Sequence, residues 1–147
     1  MTGQDFRQLV RQGIAAADQG NTLDALLHLE TAARLGSTPT LASYLGYCLA
    51  RERQEFKEAA SLCRQALTKE PEKAIHYLNL GRVFLAAGEK RLAVNAFQQG
   101  LKRERHRLIL EELKRLGIRR RPVVPPLSRS HPVNKYLGLA FTRLRMR

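Results

Sequence analysis

Basic side chains are the most abundant chemistry in this sequence, and they are unevenly spread. The 147-residue chain carries a net charge of +13. Residues 1–70 hold eight Lys/Arg and eight Asp/Glu, whereas residues 71–147 hold 18 and five. Such a block suits a polyanionic partner: an acidic protein segment, nucleic acid or an anionic membrane surface. The densest run extends from Lys102 to Arg121 and ends in Arg119, Arg120 and Arg121; Lys135, Arg143 and Arg145 continue it. With about six phosphate contacts, affinity would fall roughly 10³-fold between 50 and 200 mM salt. The run has no aromatics interleaved for base stacking and no nucleic-acid reading motif. Nucleic acid or membrane binding is therefore the alternative reading, behind a protein partner.

Other reactive side chains form no catalytic or metal-binding constellation. His28, His76, His106 and His131 stand on separate elements, without the short spacing of a metal site. Surface or capping roles are expected for them. Cys48 and Cys63 occupy apolar positions and read as buried free thiols of a reducing compartment. There is no C-x₂-C motif and no glycine-rich phosphate loop. The reading is no enzyme, no cofactor and no metal. No run approaches the length of a membrane span, and the polar N-terminus MTGQDFRQLVRQG lacks a signal-peptide core. A cytoplasmic location is expected.

The elements that must position these side chains recur. Ala25, Ala59 and Ala93 are spaced by 34 residues, and Leu29, Cys63 and Phe97 follow the same step, as do Ala32, Ala66 and Gly100. A fixed period of this length means stacked supersecondary units. Helical spacing of apolar residues marks helices over 6–18, from a Thr22 N-cap to Gly36, 40–51, 55–69, 73–86 and 89–103. Gly20 and Gly88 take the turns, and Gln54 takes the equivalent turn between them. Gly13, Gly46 and Gly81 on the first helices face the three alanines on the second, where helices crossing at about 8–10 Å leave no room for large groups. Residues 104–117 predict a seventh helix with an apolar stripe of Leu108, Ile109, Leu113 and Leu116.

This pattern resembles the tetratricopeptide repeat. Tyr77, Leu80-Gly81, Phe84, Gly88, Ala93 and Phe97 carry the resemblance in the third unit, and Leu45-Gly46, Leu49, Ala59, Ala66 and Pro71 in the second. The first unit departs most, with Gln12-Gly13. The resemblance implies an all-α, right-handed superhelical solenoid of three helix-turn-helix units, about 6–38, 39–73 and 74–107. A capping helix over 108–120 and a Pro-rich basic tail over 121–147 complete it. It further implies that the first helix of each pair lines a concave groove. Arg7, Arg11 and Ile14 would face that groove from the first unit, Tyr44, Tyr47 and Arg51 from the second, and Asn79 and Arg82 from the third. Such a set suits an extended peptide, with arginines taking carboxylates and tyrosines giving flat contact area. The expected function is non-catalytic protein–protein interaction, as an adaptor or assembly factor, with acidic partners favoured.

The tail is different in kind. Four of the six prolines fall between 122 and 132, so it begins extended. Val123, Val124, Leu127, Val133, Tyr136, Leu137, Leu139, Phe141, Leu144 and Met146 need a surface. From Val133 onward the spacing fits a short basic amphipathic helix, although the last six residues also alternate like a strand. Docking on its own solenoid, on a second copy or on a partner are the open alternatives.

Overall fold

The computed structural model describes residues 3–117. The tail lies outside the described residues, and with it Arg119, Arg120, Arg121, Lys135, Arg143 and Arg145. The described residues form seven helices and no strand: α1 (Gly3–Asp18), α2 (Thr22–Leu35), α3 (Pro39–Arg53), α4 (Phe56–Lys69), α5 (Ala74–Ala86), α6 (Lys90–Arg103) and α7 (Arg107–Arg115). Helices α1/α2, α3/α4 and α5/α6 pair as hairpins. Each later hairpin packs on the one before, α3 against α2 and α5 against both α3 and α4. This is the stacked all-α solenoid that the period implies.

The three tight turns share one backbone solution. Gly20 and Gly88 have φ of +87° and +80°, and Gln54 has φ +56° at the same place. Left-handed backbone ends a helix sharply, and only glycine adopts it without penalty. The middle turn therefore keeps the geometry without the preferred residue. The hairpins are joined differently. Thr38 caps α3 by accepting the Leu41 N–H at 3.1 Å, with Pro39 opening the helix. Thr22 does not cap α2 as expected. It is the first helical residue, and its hydroxyl donates to Glu52 across to α3.

Helix crossings occur where the small residues predict them. Ala25, Ala59 and Ala93 are fully buried, as are Leu29, Cys63 and Phe97. A Cβ on Gly13 would lie 2.5 Å from Leu29 Cδ2, and one on Gly81 would collide with the Phe97 ring. At Gly46 it would meet the Ala59 carbonyl oxygen at 2.6 Å. Cys63 is the smallest residue at its level, so α3 and α4 approach until backbone meets backbone.

Helix α7 begins later than the 104–117 pattern implies. Glu104 is extended, and its carboxylate accepts the Ala74 N–H at 3.1 Å, capping the start of α5. Ile109 and Leu113 join the core formed by α4, α5 and α6. Gly117, with φ +90°, follows the helix, in keeping with a stop there.

Candidate functional site

Superposing the first helices on Gly13, Gly46 and Gly81 puts Arg11, Tyr44 and Asn79 at one level and Ile14, Tyr47 and Arg82 at the next. These two levels hold most of the side chains expected to meet a peptide. The structure turns four of them into the chain. Tyr44, Tyr47, Asn79 and Arg82 are all buried.

Their polar groups are satisfied internally. The Tyr44 hydroxyl donates to the Asp18 carboxylate, at 3.0 and 3.1 Å from its two oxygens. Arg82 Nη1 donates to Asp18 Oδ1 at 3.0 Å and to Asn79 Oδ1 at 3.1 Å, while Nε donates to Glu112 Oε2 at 3.2 Å. The guanidinium carbon sits 4.7 Å from the centre of the Tyr47 ring, a cation–π arrangement. Asn79 Nδ2 donates to Ser43 Oγ at 3.1 Å. Burial alone would lower the Arg82 pKa, but Tyr47, Asp18 and Tyr44 together hold it above its ordinary value. Burial, and then Asp18, push the Tyr44 hydroxyl far above its own. Arg82 therefore stays charged and Tyr44 stays neutral.

This corrects the expected role of four residues. Tyr44, Tyr47, Asn79 and Arg82 offer no open hydrogen-bonding surface to a peptide. The physical reason is the neutralisation of Arg82 by two carboxylates, which permits a cation to be buried at all. Neither carboxylate stands out as a partner in the sequence. Glu112 carries the signal that could have found the lattice: it is an acid beside the apolar stripe of Leu108, Ile109 and Leu113. Asp18 ends α1 and reads as an ordinary exposed terminus.

A second hydrogen-bonded series runs from buried Ser43 and His76 out to the partly exposed Glu70. His76 Nδ1 lies 2.9 Å from Ser43 Oγ, and Nε2 lies 2.7 Å from Glu70 Oε1. Hydroxyl, imidazole and carboxylate in line resemble a nucleophile, base and orienting acid. Here Ser43 and His76 are fully buried, so no substrate carbonyl can reach the hydroxyl. The series fastens the α4–α5 loop to α3. His76 is thus neither a surface nor a capping residue, contrary to expectation. Cys48 and Cys63 are buried free thiols, as their apolar positions imply. Burial pushes Cys48 up to about 12 and Cys63 higher still, so neither is a ready nucleophile.

The exposed members of the expected set are Arg7, Arg11 and Arg51. Arg7 and Arg11 lie one turn apart on α1 and, with Gln4, Gln8 and Gln12, border a concavity of about 430 Å³. Arg51 Nη1 donates to the Tyr47 hydroxyl at 3.3 Å. The sequence pattern does not single out the glutamines, although Gln4/Arg7 and Gln8/Arg11 stand at i, i+3 spacing on one helix face. Among the described residues no helix is long and apolar enough to cross a membrane.

No curated protein matches the chain with significant similarity. Residues 10–74 match the family model described as tetratricopeptide repeat. That stretch spans most of the first hairpin and all of the second, and the third hairpin repeats the same Gly81–Ala93–Phe97 crossing and Gly88 turn. Over residues 10–74 the chain carries tetratricopeptide repeats.

Proposed function

We propose that the protein is an adaptor or assembly factor that holds an extended acidic peptide segment against the exposed face of α1 and the adjoining end of α3. Tetratricopeptide repeats generally mediate protein–protein interaction and are typically non-catalytic. The observation that carries the finer reading is the concavity bordered by Arg7, Arg11 and three glutamines. Two guanidinium groups one turn apart can each take a carboxylate in bidentate fashion. Glutamine amides can pair with both the N–H and the C=O of a peptide backbone. Arg82 is already neutralised, so any acidic preference rests on Arg7, Arg11 and Arg51. A cytoplasmic location is part of this reading, in keeping with the reduced thiols.

Binding of a fluorescein-labelled Asp/Glu-rich peptide to the full-length protein, followed by anisotropy, tests the proposal. Arg7→Glu/Arg11→Glu should weaken it about tenfold or more, with an unchanged melting temperature. Reversal of Arg119, Arg120 and Arg121 should leave it nearly unchanged. The opposite pattern, with a steep salt slope, would favour the polyanion reading through residues 102–147. Within that run Arg103, Arg107 and Arg115 already lie 3.9, 2.7 and 3.3 Å from Glu72, Glu111 and Glu112, which weakens it as a polyanion site. A wild-type protein that does not bind the peptide would remove the acidic preference.

A further inference from the structure

The repeats serve as internal controls for one another, and α2 fails the comparison. Leu23 and Leu27, one turn apart, are each 59% exposed, and Leu35 at the end of the helix is also exposed. The matching positions, one and two periods on, are Lys57 and Arg91, Ser61 and Asn95, and Lys69 and Arg103. The second helices of the later hairpins are polar and mostly basic where α2 is apolar. Single exposed leucines need no explanation. Three at positions that are otherwise polar mark a covered face.

From this we infer that residues 133–147 of the same chain dock on the exposed face of α2. Two arguments select this occupant. The first is charge. Residues 118–147 contain eight Lys/Arg and no Asp/Glu. Asp24, Glu30 and Arg34 give α2 a net charge of −1, whereas Lys57, Glu58, Arg64 and Lys69 give α4 +2, and Lys90, Arg91, Lys102 and Arg103 give α6 +4. Beside Leu23 and Leu27 stands Asp24, whose side chain is half exposed. This face therefore offers apolar area together with a carboxylate for Lys135, Arg143 or Arg145. The second argument is reach. The described chain ends at Gly117, just after α7. Three hairpin steps of about 10 Å each separate α7 from α2, about 30 Å in all. The segment 118–132 can span up to about 50 Å when extended, so it reaches α2 of its own chain. Val133, Leu137, Phe141 and Leu144 then supply the apolar partners. The inference is independent of the peptide site, because α2's exposed face is distinct from the α1 concavity.

Placing p-benzoylphenylalanine at position 27 of the full-length protein tests this without disturbing the core. Irradiation at low micromolar concentration should give crosslinks from position 27 to residues 133–147 within one chain. Crosslinked dimers would identify a second copy as the occupant and overturn docking in cis. Absence of any crosslink to 133–147 would overturn the docking itself. Independently, Leu23→Gln/Leu27→Gln, which removes the apolar area without adding charge, should speed tryptic cleavage at Arg143 and Arg145 by about tenfold or more, as the docked segment opens. Helical content by circular dichroism should not change. Cleavage at the wild-type rate in that variant would also overturn the proposal.

Discussion

Arg82 Nη1 on α5 stands 3.0 Å from Asp18 Oδ1 at the end of α1. The two residues belong to hairpins that are not neighbours, and α3 lies between them. A solenoid ordinarily couples each repeat only to the next. This ion pair ties the first repeat to the third, and through Glu112 to α7. Removing one partner from a buried pair leaves an uncompensated charge, at a cost of about 3–5 kcal/mol when fully buried. Asp18 is partly exposed, so Asp18→Asn should cost less than Arg82→Ala. Arg82→Met, which removes the charge and keeps the volume, should fall between wild type and Arg82→Ala only if Asp18 and Glu112 can rehydrate. Urea denaturation of the three variants measures this. Equal stability for Arg82→Ala and wild type would show that the lattice contributes nothing.

The extent of what the sequence reveals follows from the range of each interaction. Ala25, Ala59 and Ala93, the glycine crossings and the Gln54 turn are set by local spacing, and the period exposes them directly. The burial of Arg82 depends on Asp18 and Glu112, which arrive from 64 and 30 residues away, and that of Tyr44 on Asp18, 26 residues away. A polar residue on the first helix of a pair reads as a groove residue until its partner is known. Arg7 and Arg11 remain exposed because no earlier helix among the described residues covers α1. The start of α7 at Arg107 departs from the 104–117 pattern for a related reason. Glu104 reads as helix, but Ala74, 30 residues earlier, draws its carboxylate away.

Gln54 supplies a stabilising substitution. Its φ of +56° lies in the left-handed region that Gly20 and Gly88 occupy in the sister turns. Glycine there removes the Cβ penalty at some cost in unfolded-state entropy. Gln54→Gly should therefore raise stability by about 0.5–1 kcal/mol, readable as an increase in the urea midpoint at constant slope. A decrease would mean that the Gln54 side chain makes a compensating contribution.

The glycine crossings differ in how they fail. Adding a methyl group at Gly81 or Gly13 meets the end of a side chain, Phe97 or Leu29, which can rotate or shift. At Gly46 it meets the carbonyl oxygen of Ala59, and the helix itself must move. Overpacking typically costs about 1–3 kcal/mol. Gly46→Ala should lie at or above the top of that range, and Gly13→Ala below it. The double variant Gly13→Ala/Leu29→Val should recover part of the loss. No shortening at Cys63 can rescue Gly46→Ala, since the obstruction is backbone. Comparable melting temperatures for the two single variants would contradict this ordering.

His106 gives the fold a dependence on mild acid. It precedes α7 and is partly buried, with Nδ1 buried and lacking a hydrogen-bond partner. Burial lowers its pKa below the ordinary histidine value, against the opposing pull of Glu104 and Asp18. The folded state therefore holds this ring neutral more strongly than the unfolded state does. Stability from this source is complete above the unfolded value, about 6.5. It declines as pH falls below that, because the unfolded chain takes up the proton first, and it levels off below the folded value. His106→Leu cannot take a proton. Its urea midpoint should fall less than that of wild type between pH 7.5 and 5, so the difference between the two curves isolates this residue from other titrating groups. Parallel curves would mean that His106 is protonated equally in both states, and the buried Nδ1 would then have no energetic consequence.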